Sequence, residues 1–272
     1  MLTVANFNMH CGMDGWGRPF DFLGACAALD ADVLMLEEVW EPESGAGSGG
    51  QAEQIAAALG YRAVTCGLAE GRRIRPQPGA TDAWMPRPSF AHRNKALYLE
   101  SQRPLPAGVK KMVRHLEAEP GRWGMAMLVR TALTVDGTRT LHLPKLRRDL
   151  VRRAALVVDL TVDGVALSVV GTHMSHLHMG SHRHWSVLRK LLRAEARPDA
   201  VLVGDMNLWG PPLRAFMPEW HRAVKGPTWP ADKPHSQIDH ILVRGALRAV
   251  AGEVMPDAGS DHRPVRARLS LP

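Results

Sequence analysis

"VLVGDMNLWG", residues 201–210, is the stretch on which the reading of this chain turns. Val201, Leu202 and Val203 lead through Gly204 to Asp205 and Asn207, a carboxylate and a carboxamide two residues apart. The apolar run reads as a buried strand. Asp and Asn at its end are either turn formers that bond their own backbone or functional groups carried out of a core by a strand terminus. The rest of the chain decides between these.

The chain has 272 residues and is 45% hydrophobic, enough for a substantial core. A single domain spanning 1–272 is expected. No apolar run approaches the roughly 20 residues that span a bilayer. "MLTVANFN" enters a strand pattern without a basic start and apolar signal segment, so a cytoplasmic location is expected. Cys11, Cys26 and Cys66 are odd in number and lack metal-ligand spacing, which argues for reduced thiols. A formal charge of +7 and a pI near 9.8 favour an anionic partner.

Strands and helices alternate without an internal repeat. "LTVANFNM" has the residues of a strand. "DFLGACAALDADVLMLEEVW" reads as a helix, a turn at Asp30 to Asp32 and a second strand. "EPESGAGSGG" is a loop, and "QAEQIAAALG" a helix closed by Gly60. From Gly71 to Pro106 the sequence is rich in Pro and Arg and loses periodicity, predicting a long irregular loop. "GMAMLVR" restores order. Two strands joined by the "VDG" turn follow in "AALVVDLTVDGVALSVVGTHMSH". "HRHWSVLRKLLRAEA" is a helix with a basic face, and "AVLVGDMN", "QIDHILVRG" and "PVRARLSL" are strands.

The polar residues that break or end these strands are Asn8, Glu38, His173, Asp205, Asn207, Asp239, His240, Asp261 and His262. Each alone has a structural explanation. Together they are harder to dismiss, because buried strands rarely end in so many charged groups without partners for them.

These pieces, in order, resemble the endonuclease/exonuclease/phosphatase superfamily of DNase I-like metal-dependent phosphodiesterases: "ANFNMH", "LEEVW", "GMAMLV", "GTHMSH", "GDMN", "SQIDHILV" and "SDHRPV", from Val4 to Val265. The resemblance implies a four-layer α/β/β/α sandwich with its site where strand termini of two mainly antiparallel sheets converge. It implies that Glu38 holds a divalent cation with Asn8 and Asp261 nearby as direct or water-mediated ligands, Mg²⁺ or Mn²⁺ being suited to such oxygen donors. Asp205 and His262 between them orient and deprotonate the attacking water, and Asp239 orients His262. His173 and Asn207 donate to the phosphate oxygens. The implied activity is hydrolysis of a phosphoester, most simply a diester. Nucleic acid is slightly favoured as substrate over a phospholipid headgroup, an inositol phosphate or a nucleotide. A non-catalytic phosphate-binding module is the rival reading.

The chain departs from the repair-enzyme branch of that family. Its tyrosines, Tyr61 and Tyr98, lie on no matching strand; His10 stands where that branch carries Asp, and Met125 where Asn is expected. "THMSHLHMGSHRHW" holds five histidines, His173, His176, His178, His182 and His184. A second metal site there is disfavoured, because Gly180 keeps His178 and His182 off one helix face; these histidines and Arg183 are expected to line an anionic cleft. In "RTLHLPKLRRDLVRR", Lys145, Arg147, Arg148 and Arg152 read as loop charge, and Arg153, at the strand start, as a substrate contact. No Ser or Cys nucleophile motif competes.

Overall fold

A computed structural model describes residues 1–15, 19–43, 49–74, 97–99, 118–149 and 151–272. Its strands are β1 (Leu2–Asn8), β2 (Val33–Pro42), β3 (Tyr61–Ile74), β4 (Leu97–Leu99), β5 (Ala118–Arg130), β6 (Thr134–His142), β7 (Ala154–Val162), β8 (Val165–Thr172), β9 (Ala200–Asp205), β10 (His221–Arg222), β11 (Asp239–Arg244), β12 (Arg248–Val254) and β13 (Val265–Ser270). The helices are α1 (Phe22–Leu29), α2 (Gln51–Leu59), α3 (His182–Glu195) and α4 (Gly210–Phe216).

One sheet has the order β12-β13-β1-β2-β5-β3-β4 and the other β10-β11-β9-β8-β7-β6. Among the described residues, only β1 with β2 and β8 with β9 pair in parallel. Side chains alternate across a strand, and the burial follows that alternation. Leu2, Val4, Val33, Met35, Val169, Val201, Val203, Ile241 and Val243 face the other sheet and form the central core. The opposite positions, such as Phe7, Leu34 and Leu36, pack under α1 and α2; Val170, Leu202 and Leu242 pack under α3 and α4. On α3 the buried Trp185, Leu188 and Leu192 make the apolar stripe that the 3.6-residue period requires. The expected four-layer α/β/β/α sandwich is the observed architecture.

Two glycines let the sheets meet at the strand ends. A Cβ on Gly171 would stand 2.2 Å from Met35 Sδ, and one on Gly204, whose φ is +151°, would stand 1.8 Å from the Thr172 carbonyl. Gly204 therefore brings β9 against β8 immediately before Asp205.

The long irregular loop expected from Gly71 to Pro106 is partly strand: β3 continues to Ile74 and pairs with β5, and Leu97–Leu99 pairs with β3. Its remainder, 75–96 and 100–106, lies outside the described residues. Residues 134–142, the last four of which open the supposed basic loop, form edge strand β6. Among the described residues no helix is long and apolar enough to cross a membrane.

His240 illustrates how strand parity separates neighbours. Asp239 faces the central layer, whereas His240 is buried on the other face and its Nε2 bonds the Leu208 carbonyl at 2.9 Å. Burial pushes its pKa from 6.5 down to about 4. Between those values the unfolded chain binds a proton that the folded one refuses, so stability rises with pH from about 4 to about 6.5 and is flat above. That interval corresponds to about 3 kcal/mol. In urea unfolding at pH 4.5 and pH 7, His240→Gln should lose correspondingly less stability on acidification than the parent; equal losses would contradict this assignment.

Candidate active site

The inward-facing alternation that fills the core with Val and Met turns polar at one end. On β1 the inward series Leu2, Val4 continues as Asn6 and Asn8; on β2 Val33 and Met35 lead to Glu37. On β8 Leu167, Val169 and Gly171 lead to His173; on β9 Val201 and Val203 lead to Asp205; and β11 begins with Asp239 before Ile241. The parallel pairs carry these ends to the same edge. Asp205 and Asp239 sit directly opposite each other in the β9–β11 ladder.

Glu38 joins the cluster by a different route. A register shift between Glu37 and Val39 in the β2–β5 ladder makes it a bulged residue with φ 53°. A bulge cancels the alternation for one residue, and both glutamates of "LEEVW" contact residues at this end of the core. Glu38 Oε1 lies 3.3 Å from Asn8 Nδ2, and Oε2 lies 3.5 Å from Trp123 Nε1.

Asp205 is the hub. Its Oδ2 accepts from Asn8 Nδ2 at 3.1 Å and lies 3.5 Å from His173 Nε2 and 3.9 Å from His262 Nε2. Its Oδ1 accepts from the Asn207 backbone N–H at 2.9 Å. Burial, then the charge of Asp239, pushes its pKa up to about 7. His262 Nδ1 is 3.0 Å from Asp239 Oδ2. Burial alone would lower the His262 pKa, but Asp239, Asp261 and Asp205 outweigh it and hold it well above the ordinary value. His173 moves the other way, well below, through burial and the charge of Arg153. It is a neutral ring packed 5.3 Å from the Trp123 ring.

Asn207, at φ 46°, sends Nδ2 to the Met174 carbonyl at 2.8 Å, and its backbone N–H is the group that touches Asp205. Asn8 Oδ1 accepts the His10 N–H at 3.1 Å, leaving its Nδ2 to bridge Glu38 and Asp205. Asp261 is 3.7 Å from His10 Nδ1, and burial of its carboxylate is outweighed by His10 and His262, which hold its pKa down.

Arg153 precedes β7 and is buried. Its Nε donates to Asp149 Oδ2 at 2.9 Å, its NH1 lies 3.5 Å from the His173 carbonyl, and its guanidinium stands 5.5 Å from the Trp123 ring centre. Asp149 also accepts from Ser175 Oγ. The five histidines disperse. His173 joins the cluster, His176 and His178 stack on each other in an exposed turn, His182 is exposed, and buried His184 bonds the Pro144 carbonyl at 2.7 Å. Gly180, at φ 95°, ends that turn before α3, as its sequence position suggested. Arg183 is exposed in the first turn of α3, and none of the cluster contacts described above involves it.

The sequence reading missed Glu37. It is fully buried, its Oε1 accepts the Asp205 N–H at 3.2 Å, and the Asn6 amide lies 2.6 Å from it. Burial, then the charges of Asp239 and Asp205, hold its pKa well above the carboxylate range. A neutral Glu37 donates its O–H to the Asn6 carbonyl and leaves Asn6 Nδ2 facing Asp239 Oδ1 at 3.5 Å. An ionised one would require the amide to turn over and present its oxygen to Asp239. The signal was present in "LEEVW", where the first glutamate keeps the inward parity of Val33 and Met35.

The chain belongs to the endonuclease/exonuclease/phosphatase family, whose model matches residues 5–262. Similar solved structures include an endonuclease/exonuclease/phosphatase from Beutenbergia cavernae, 23% identical with a TM-score of 0.63, covering 99% of this chain and 71% of that one. A mannosyl-6-phosphatase from Bacteroides thetaiotaomicron is 16% identical with a TM-score of 0.63, covering all of both chains. The human Nocturnin catalytic domain, solved with a bound sulfate, is 15% identical with a TM-score of 0.60, covering 100% of this chain and 94% of that one. Comparison with curated proteins finds no match.

The protonation state assigned to Glu37 is testable by substitution. Glu37→Gln, one neutral group for another, should keep the thermal midpoint near that of the parent. Glu37→Ala strands the Asp205 N–H and the Asn6 amide and should cost about 2 kcal/mol or more. A glutamine variant as unstable as the alanine variant would show that Glu37 carries a charge.

Proposed function

We propose that this protein is a divalent-metal-dependent phosphoester hydrolase acting by direct attack of water, with a phosphodiester as its substrate. The observation that carries the reading is the buried Asp205, contacted by Asn8 and the Asn207 N–H and faced by the His262–Asp239 pair. A carboxylate poised near neutrality beside an imidazole held protonated is a base and an electrostatic donor in one pocket.

Asp205 accepts the proton of the attacking water. His262, kept charged and oriented by Asp239, donates through Nε2 toward the phosphate, and neutral His173 supplies a second contact. Asn207 is the third proposed donor to the phosphate, once its Nδ2 leaves the Met174 carbonyl. Arg153, pinned by Asp149, adds positive charge at the rim.

The donor set suits a hard cation. Glu38 makes long contacts to Asn8 and Trp123, Asp261 lies 3.7 Å from His10 Nδ1, and the surrounding carboxylates repel an incoming phosphate unless positive charge is added. Glu38 and Asp261 would hold the ion, Mg²⁺ or Mn²⁺, with Asn8 bracing Glu38; bound there, it would neutralise phosphate charge and stabilise the leaving oxygen. Asp205, Asp239 and His262 also bring ligand atoms within 4.8 Å of one another. His262 is already spent on Asp239, so this trio is assigned to proton handling.

Exposed Arg147, Arg148 and Arg152 on the segment ending at Arg153, with the net charge of +7, favour nucleic acid as the partner.

Hydrolysis of a chromogenic phosphodiester should vanish after chelation and return with Mn²⁺ or Mg²⁺; full rates after stripping tightly held metal would overturn the mechanism. Asp205→Asn and His262→Ala should each lower kcat by at least about 10². The double variant should lose far less than the product of the two, as for groups acting on one proton transfer. Oligonucleotide binding should weaken steeply with salt, by roughly 0.7 to 0.9 in log–log slope per phosphate contact. Arg147→Ala with Arg148→Ala should make that slope shallower. An unchanged slope would point instead to a small phosphoester.

A further inference from the structure

His10 lies on a turn that few side chains would choose. His10, Cys11 and Gly12 are all left-handed, at φ 44°, 56° and 73°, a conformation that L-residues avoid. The turn is held by the bond from His10 N–H to Asn8 Oδ1, by Gly12 N–H to the Met9 carbonyl at 2.8 Å, and by Met13 N–H to the His10 carbonyl at 3.1 Å. The outcome is an imidazole Nδ1 that is buried, has no hydrogen-bond partner, and stands 3.7 Å from Asp261 Oδ1. That distance is too long for a hydrogen bond. Asp261 and Glu38 are the two carboxylates whose charge the ring feels most.

A buried ring nitrogen without a hydrogen-bond partner, set beside two carboxylates, calls for an explanation. A cation supplies one. Two ligand atoms 3.7 Å apart, each about 2.1 Å from a shared ion, subtend roughly 120° at it, which a slight movement brings into ordinary coordination.

We propose that His10 is a nitrogen ligand of the catalytic cation. The centre formed with Glu38 and Asp261 is then a mixed nitrogen–oxygen site that prefers Mn²⁺ to Mg²⁺. Mg²⁺ favours oxygen and water, whereas imidazole affinity grows along the first transition row. This inference rests on the metal-dependent reading proposed above and narrows its choice of ion.

The test is metal binding to stripped protein, read without substrate. Mn²⁺ affinity is measured by electron paramagnetic resonance and Mg²⁺ affinity by competition, for the parent, His10→Asn and His10→Asp. Asn and Asp are chosen because both tolerate the left-handed backbone. The ratio of Mn²⁺ to Mg²⁺ affinity should fall at least about tenfold in both variants, comparable to the loss of a metal-supporting contact. Pulsed measurements on the Mn²⁺-loaded parent should show coupling to a directly bonded nitrogen that both variants lack. Absence of that coupling in the parent, or an unchanged ratio, overturns the proposal. Tighter Mn²⁺ binding by His10→Asn also overturns it, since that is the result if His10 serves only as a counter-ion for Asp261. If the parent binds neither ion, the metal-dependent reading falls with it; if the parent binds both ions with no role for His10, only this inference fails.

Discussion

Two carboxylates, Asp205 and Asp239, face each other across one ladder at the buried end of the core. Like charges placed directly opposite on adjacent strands repel, and burial raises the cost of each. The arrangement persists because His262 reaches in from the segment before β13 and bonds Asp239, while its other nitrogen faces Asp205. The surrounding features answer the same problem. The Glu37 pKa is held well above the ordinary carboxylate range, Asn8 and the Asn207 N–H donate to Asp205, and the His262 pKa is held well above that of a free imidazole. The charge imbalance that makes the cluster costly to fold is of the kind that marks functional sites, and the proposed proton transfer would draw on it.

Much of this could be read from the sequence because strand parity is a strong constraint. Once Val201 and Val203 are inward, Asp205 is inward too, and the same logic places Asn8, His173 and Asp239. Parity also explains what was missed. Glu37 and Glu38 are adjacent, so one of them has to face away from the core in a regular strand; the bulge that admits both is invisible in composition. The edge strand β6 and the strand β12 escaped because their side chains are largely exposed and carry no apolar alternation to reveal them. The extension of β3 to Ile74 was hidden by its arginines.

Loops set what the strands cannot. Arg153 owes its position to Asp149 and Ser175, partners from two other segments that no local spacing in the sequence connects. His10 owes its position to three consecutive left-handed residues. Such features differ most readily between proteins that share a fold, which is consistent with structural neighbours as dissimilar in name as a mannosyl-6-phosphatase and Nocturnin.

The central claim is that Asp205 directs water straight at phosphorus, with no protein nucleophile intervening. The stereochemical course of hydrolysis of a chiral phosphorothioate diester, run in isotopically labelled water, tests it most directly. A single in-line attack predicts inversion at phosphorus with solvent oxygen in the product. Net retention would require two displacements through a covalent intermediate, and would contradict the role assigned to Asp205 and His262.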